Sequence, residues 1–160
     1  MKNIIALIAL LLYSSIFAQS QFRINKKDQF MWGITSSYSS IKDSGTSFGA
    51  EIEYIGSVYT RASISSTPNI KSTDIIGSIG ASFTSGLFER TRYYTGIRLG
   101  FTKKSRTNAT AGWELGIEQK VSKNVIIGLR ATYDYRSDYV FSGYNNGWVN
   151  NNFIKIGFLF

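Results

Sequence analysis

The sequence predicts an all-β protein: a closed, antiparallel, up-and-down barrel of eight strands that crosses a membrane. Apolar residues alternate with small, polar or charged residues along most of the chain, as in strands with one face toward lipid and one toward a polar lumen. This alternation recurs about eight times, and helical periodicity is absent after residue 18. A transmembrane β-barrel accounts for both observations.

Residues 1–18 predict a cleaved signal peptide. Lys2 gives a positive start, residues 4–12 form an apolar core, and Ala18 is a small residue at the expected cut. The alternative is an uncleaved anchor, but the apolar run is shorter than the ~20 residues of a spanning helix. Cleavage would leave residues 19–160 as one barrel domain of 142 residues (160 minus 18).

The eight strands follow from runs of alternation that end at turn-forming or charged residues. They cover residues 29–41, 46–55, 58–66, 73–84, 90–102, 110–119, 124–136 and the segment from 148 to the C-terminus. Most have the ~9–11 residues that a spanning strand needs. One row of each strand is mainly apolar, and these rows are, in order, Phe30, Trp32, Ile34 and Tyr38; Phe48, Ala50, Ile52 and Tyr54; Thr60, Ala62 and Ile64; Ile75, Ile79 and Phe83; Tyr93, Ile97, Leu99 and Phe101; Trp113, Leu115 and Ile117; Val125, Ile127, Leu129 and Tyr133; Ile154, Ile156, Phe158 and Phe160.

The last strand carries the pattern to the end of the chain. Ile156, Phe158 and Phe160 share one row, whereas Lys155 and Gly157 lie on the other. With the export signal and this terminal Phe, the chain resembles the small eight-stranded outer-membrane β-barrel family over nearly all of its mature length. The resemblance implies a multi-pass barrel in the cell outer membrane, reached after export through the inner membrane. It also implies that Ile156, Phe158 and Phe160 are recognised by the barrel-insertion machinery.

The predicted lumen holds four acidic and four basic residues. They are Glu51, Glu53, Glu114, Glu118, Arg61, Arg98, Arg130 and Lys155. One hypothesis is a gated or ion-conducting lumen, or a carboxylate pair for hydrolysis. The other is a plug of mutually neutralised charges, which we favour because an eight-stranded barrel is only wide enough for side chains to fill. A buried charge must also be paired.

Hairpin geometry predicts how these charges pair. A pivot at Ser122 would place Glu114 directly opposite Arg130, and a pivot at Arg106 would bring Arg98 level with Glu114. The sequence therefore predicts an Arg98–Glu114–Arg130 cluster. The second hairpin similarly predicts that Arg61 lies opposite Glu51 or Glu53.

The composition argues against several kinds of chemistry. The chain contains no His and no Cys, which removes the commonest general base and excludes disulfides. Lipid-modifying members of the resembled family depend on a His. We find no catalytic motif, and we expect no enzyme activity, no cofactor and no metal site.

The mature chain would carry a net charge of +7, since loss of Lys2 leaves 17 basic and 10 acidic residues. Nucleic acid is not expected as a partner, because the chain is exported and carries no nucleic-acid motif. Basic loops can bind outer-membrane lipid or the phosphates of lipopolysaccharide; alternatively, they are solvated ends that aid solubility.

The last outer loop combines aromatic residues with Gly and Asn. The aromatic candidates for an interaction loop are Tyr139, Phe141, Tyr144 and Trp148. Exposed aromatics in a polar frame suit recognition of a protein partner. Alternatively, the two strands extend beyond the membrane and the aromatic residues cover each other.

These observations predict a non-enzymatic outer-membrane barrel with a structural or surface-interaction role, or a subunit of a larger outer-membrane assembly. The first alternative is a porin-like narrow pore for small solutes, with room left by Gly96, Gly100, Gly112, Gly116 and Gly128. The second is a soluble, calycin-like ligand-binding barrel, which would need an apolar interior and a polar exterior.

Overall fold

The computed structural model describes residues 29–39, 44–85, 88–137 and 147–160. Residues 1–18, predicted as a signal peptide, and the loop residues Tyr139, Phe141 and Tyr144 lie outside them. The strands are β1 (Gln29–Ser39), β2 (Thr46–Ile55), β3 (Val58–Thr67), β4 (Ser72–Ser85), β5 (Phe88–Lys103), β6 (Thr107–Lys120), β7 (Val125–Arg136) and β8 (Trp148–Leu159). In the described part of the chain, no helix has the length and apolar character needed to cross a membrane.

Each strand pairs antiparallel with the next, and β1 pairs with β8, so the sheet closes into a barrel. At the closing seam Trp32 lies opposite Phe158, and the backbone N–H of Phe160 donates to the carbonyl of Phe30 at 3.0 Å. Closure leaves no strand edge with unpaired backbone N–H and C=O groups, for which lipid offers no hydrogen-bond partner. The predicted fold class is confirmed.

The two ends of the barrel differ in their connections. One end of the barrel, here called the inner end, holds the start of β1, the end of β8 and the turns at residues 56–57 and 121–124. The opposite, outer end carries the 3-10 helix Pro68–Ile70 and the turn at residues 104–106. Gly45 and Gly147 have positive φ where the outer connections enter β2 and β8, a conformation that favours glycine.

The strand bounds differ from the prediction mainly at the outer end. The connection between the fifth and sixth predicted strands narrows to residues 104–106, because β5 and β6 continue pairing up to Lys103 and Thr107. At the inner end β5 begins at Phe88 rather than at residue 90. Residues 40 and 41 of the first predicted strand lie outside the described residues.

The faces of the sheet have the predicted polarity. Ile34, Leu99 and Ile154 expose 51%, 60% and 59% of their surface on the outside of the barrel, whereas Glu53 and Glu114 are fully enclosed. This arrangement is the reverse of the apolar interior and polar exterior that a soluble calycin-like barrel requires. An exterior of this kind suits lipid, and the charged interior suits a polar lumen.

Aromatic side chains mark both ends of the apolar exterior. Near the inner end, the ring of Trp32 stacks on Phe158 with centroids 4.5 Å apart. Toward the outer end, Tyr133 stacks on Trp148 with centroids 4.7 Å apart. Such rings favour the interface between hydrocarbon and headgroups.

Candidate functional site

The lumen is filled by a network of ion pairs, and Glu53 is one of its centres. Its Oε2 accepts hydrogen bonds from Arg61 Nε at 2.9 Å and from Lys155 Nζ at 3.1 Å. Its Oε1 accepts a hydrogen bond from Arg92. These partners come from β3, β5 and β8, whereas Glu53 belongs to β2, so the network joins strands on different sides of the lumen.

Glu114 is the second centre. Its Oε1 accepts hydrogen bonds from the Tyr59 hydroxyl and from Arg61 Nη1, both at 2.6 Å. Its Oε2 lies 3.7 Å from Arg98 Nη1 and 3.8 Å from Arg130 Nε. The structure therefore brings Arg98, Glu114 and Arg130 together, but Arg61 and Tyr59 are the closer partners.

The predicted registers behind that cluster are wrong by two residues. Glu114 lies opposite Thr132 rather than Arg130, and Arg98 lies opposite Gly112. The cluster still forms because long arginine side chains reach diagonally across the lumen. For the second hairpin, the pairing of Glu53 with Arg61 is as predicted.

Two basic residues connect the last strands to β2. Arg130 Nη1 donates to Glu51 Oε2 at 2.8 Å, and Lys155 Nζ lies 2.9 Å from Glu51 Oε1. Lys155 also pairs with Glu118. Its bonds to β2 span β1, which lies between β8 and β2 in the sheet. The network thus braces the seam between β1 and β8.

Aromatic rings pack between the charged groups. Tyr59 and Tyr94 meet edge to face with centroids 5.3 Å apart. The guanidinium carbon of Arg61 lies 4.8 Å from the centre of the Tyr94 ring, and that of Arg130 lies 4.5 Å from the centre of the Phe153 ring. Such contacts stabilise a cation that has lost its water.

The lumen glycines leave no open space, contrary to their predicted role in a pore. A Cβ atom on Gly116 would collide with the Tyr94 ring, and one on Gly96 would collide with the Tyr59 hydroxyl. A Cβ atom on Gly128 would come within 2.7 Å of Glu118 Cγ. Each of these three glycines is a place where a large side chain from another strand lies across the backbone.

The outer half of the lumen is lined mainly by hydroxyl groups. Below its mouth Asp134 pairs with Arg98 at 3.3 Å, and at the mouth Asp74 pairs with Arg136 at 3.3 Å. The cavity among these groups, measured for the centre of a water-sized sphere, has about 20 Å³. This is room for about one water molecule, so the outer half is polar and nearly filled.

All eight predicted lumen charges are buried inside the barrel. They are Glu51, Glu53, Glu114, Glu118, Arg61, Arg98, Arg130 and Lys155. The prediction missed Arg92, Asp134, Arg136 and Tyr59 as members. Arg92 could have been found, because it lies two residues before Tyr94 on the same row. Among the described residues, no three His, Cys, Asp or Glu side chains are placed to hold a metal ion.

The other predicted site residues that the structure describes lie on the lipid-facing surface. Phe160 exposes 70% of its surface, Ile156 is exposed and Phe158 is half-buried. Trp148 stacks on Tyr133 in the outer aromatic cluster. The other aromatic residues of the candidate interaction loop lie outside the described residues, so both hypotheses for that loop stay predictions. Recognition of Ile156, Phe158 and Phe160 by insertion machinery stays a prediction.

The sequence matches no protein-family profile and no curated protein. The structure does match solved structures. A de novo designed transmembrane β-barrel is 14% identical, with 86% of this chain and 99% of that chain covered and a TM-score of 0.62. Outer membrane protein H (OprH) from P. aeruginosa is 14% identical, with coverages of 82% and 99% and a TM-score of 0.61. Neisserial surface protein A (NspA) is 16% identical, with coverages of 81% and 95% and a TM-score of 0.59.

The fold is that of the small outer-membrane β-barrels. The resemblance drawn from the sequence is therefore confirmed at the level of fold. A designed barrel matches as well as the natural ones, so the similarity does not select one function. Function has to be argued from the lumen and the surface of this chain.

Proposed function

We propose that this chain is an integral protein of the bacterial outer membrane with a closed lumen and a non-enzymatic role. That role is structural or surface-interacting, or that of a subunit in a larger outer-membrane assembly. The exposed apolar belt between two aromatic zones supports the location. The protein would meet outer-membrane lipid and lipopolysaccharide along its wall, and a protein partner through its outer loops.

We infer the closed lumen from the connected ion-pair network. It contains side chains from β2, β3, β5, β6, β7 and β8. An eight-stranded barrel has only enough interior for such side chains. A continuous file of water therefore has no route past Glu53 and Glu114 while their partners are in place.

The non-enzymatic role is supported by the hydrogen bonds that already occupy the lumen carboxylates. Glu114 is occupied by Tyr59 and Arg61, and Glu53 by Arg61 and Lys155. A general acid or base needs access to a substrate proton, and these enclosed groups have none.

Conductance in planar lipid bilayers tests the closed lumen. We expect purified wild-type protein to insert without current steps. The double variant Arg61→Ala with Glu114→Ala removes a charge pair 2.6 Å apart without changing net charge, and we expect it to conduct. The matched control, Thr60→Ala with Leu115→Ala, changes the outward neighbours on the same strands and should stay silent.

The narrow pore is the second candidate: the hydroxyl groups of the outer half would suit the wall of a pore, although the cavity among them holds only about one water molecule. Steady current steps from the wild-type protein would support the pore and overturn the closed lumen. Silence of both wild type and Arg61→Ala/Glu114→Ala, with insertion verified, would mean that the network is not what closes the barrel.

A further inference from the structure

The charges of this barrel are sorted by sign. Every carboxylate with a described side chain lies in the lumen or at its mouth: Glu51, Glu53, Asp74, Glu114, Glu118 and Asp134. They are matched by six basic side chains: Arg61, Arg92, Arg98, Arg130, Arg136 and Lys155. The remaining described basic residues lie at the two ends of the barrel: Lys71, Lys103, Lys104 and Arg106 at the outer end, and Arg90, Lys120 and Lys123 at the inner end.

The four outer cations lie on two adjacent hairpins. Lys103 is opposite Thr73 across the pairing of β4 with β5, and Lys71 is two residues before Thr73. Lys104 and Arg106 form the turn that follows, where the N–H of Lys104 donates to the carbonyl of Arg106 at 3.1 Å. The topology therefore gathers these residues above the outer ends of β4, β5 and β6.

Within the described residues, nothing anionic neutralises this group. The nearest carboxylate along the strands is Asp74, which belongs to the barrel mouth and pairs with Arg136. Positive charges on adjacent hairpins repel each other, and an anion that binds several of them offsets this repulsion. The cluster therefore favours an anion with more than one negative charge.

The surface directly below the cluster is lipid-facing. Ile75 pairs with Phe101, and Gly77 pairs with Leu99, all on the outward row. Ile75 and Phe101 are 58% exposed. A Cβ atom on Gly77 would meet only the Leu99 carbonyl, at 3.8 Å, so no side chain covers the outer surface of the barrel at this point. Cations above an apolar track suit a molecule with a phosphorylated head and acyl chains.

We propose that Lys71, Lys103, Lys104 and Arg106 form a binding site for the phosphorylated headgroup of an outer-leaflet lipid. The site rests on the proposed membrane location and names the lipid contact of the outer loops. The phosphates bind between the two hairpins, and the acyl chains lie along Ile75, Leu99 and Phe101. Lipid bound here would hold the outer leaflet against β4 and β5.

Native mass spectrometry of the full mature chain in detergent micelles tests the site. The probe is a bisphosphorylated, acylated glucosamine disaccharide, compared with the same lipid lacking its phosphates. We expect Lys103→Gln with Lys104→Gln to weaken binding of the phosphorylated lipid about 25-fold, since each cation near an anionic surface contributes about fivefold. The matched control, Lys120→Gln with Lys123→Gln, removes the same charge at the inner end and should change binding less than about twofold.

Equal weakening by the two double variants would show an effect of net charge alone and overturn the site. Equal binding of the lipid without phosphates would overturn the role of the cations. Inorganic pyrophosphate is the third arm: if it displaces the lipid at equal concentration, the site takes a free anion rather than a lipid. All variants leave the lumen intact, so bilayer conductance independently reports on the proposed closure.

Discussion

Replacement of Lys155 by Met tests the lumen network most sharply. Lys155 is 2% exposed, and its Nζ lies 2.9 Å from Glu51 Oε1 and 3.1 Å from Glu53 Oε2, besides its contact with Glu118. Met has a similar length and no charge, so Lys155→Met removes the ammonium group while largely preserving the packing. Three carboxylates then lose one shared partner.

Breaking a buried ion pair by removing one partner destabilises a protein by about 3–5 kcal/mol. Glu53 retains Arg61 at 2.9 Å and Glu51 retains Arg130 at 2.8 Å, so we expect the lower end, about 3 kcal/mol. Adding Glu118→Gln restores the balance between acids and bases. The double variant should therefore lose less than the sum of the two single variants, by at least about 1 kcal/mol.

Urea unfolding of refolded barrels in phospholipid bilayers, followed by tryptophan fluorescence, gives these free energies. Lys123→Met is the matched control, because Lys123 is exposed in the inner turn. Its effect should be within about 0.5 kcal/mol. A Lys155→Met variant as stable as this control, or strictly additive effects with Glu118→Gln, would refute the network as a source of stability.

Three further changes probe the wall and the end of the barrel. Gly116→Ala forces a methyl group against the Tyr94 ring and should cost about 1–3 kcal/mol in the same unfolding assay, whereas Gly77→Ala on the lipid face should cost little; equal losses would contradict the packing described here. Leu129→Arg, at an outward position that is 57% exposed, should destabilise the barrel in bilayers by about 2–4 kcal/mol, and an effect near zero would contradict its contact with lipid. Deletion of Phe160 should lower the amount of protein in the outer-membrane fraction of cells without preventing refolding in detergent, whereas normal amounts would contradict its role in recognition.

The fold and the two faces of each strand could be predicted because alternation with a period of two directly identifies a strand face. A shift of the strand register by one residue would move Leu129 into the lumen and Arg130 into lipid, so the sequence strongly excludes such a shift. A register shift of two residues keeps Leu129 facing lipid and Arg130 facing the lumen. The pattern therefore could not detect that the β6–β7 turn centres on residue 123 rather than on Ser122.

The partners of the lumen charges were only partly predictable for a related reason. Arg61 and Glu53 are paired in one hairpin, and hairpin geometry predicted this pair. Arg130 with Glu51 are 79 residues apart and meet across the lumen. Such contacts depend on the barrel cross-section and the reach of each side chain, which alternation does not encode. The glycine pattern predicted room in the lumen, but side chains from other strands fill it: Tyr59 lies against Gly96, and Tyr94 lies against Gly116.

The membrane barrel is tested most directly by electrophoresis of the outer-membrane fraction from expressing cells, with and without boiling in detergent. A closed membrane barrel stays compact in detergent until it is heated. We expect the protein to be in this fraction and its mobility to change on boiling. A protein in the soluble fraction, with the same mobility before and after boiling, would contradict the membrane barrel and every function proposed from it.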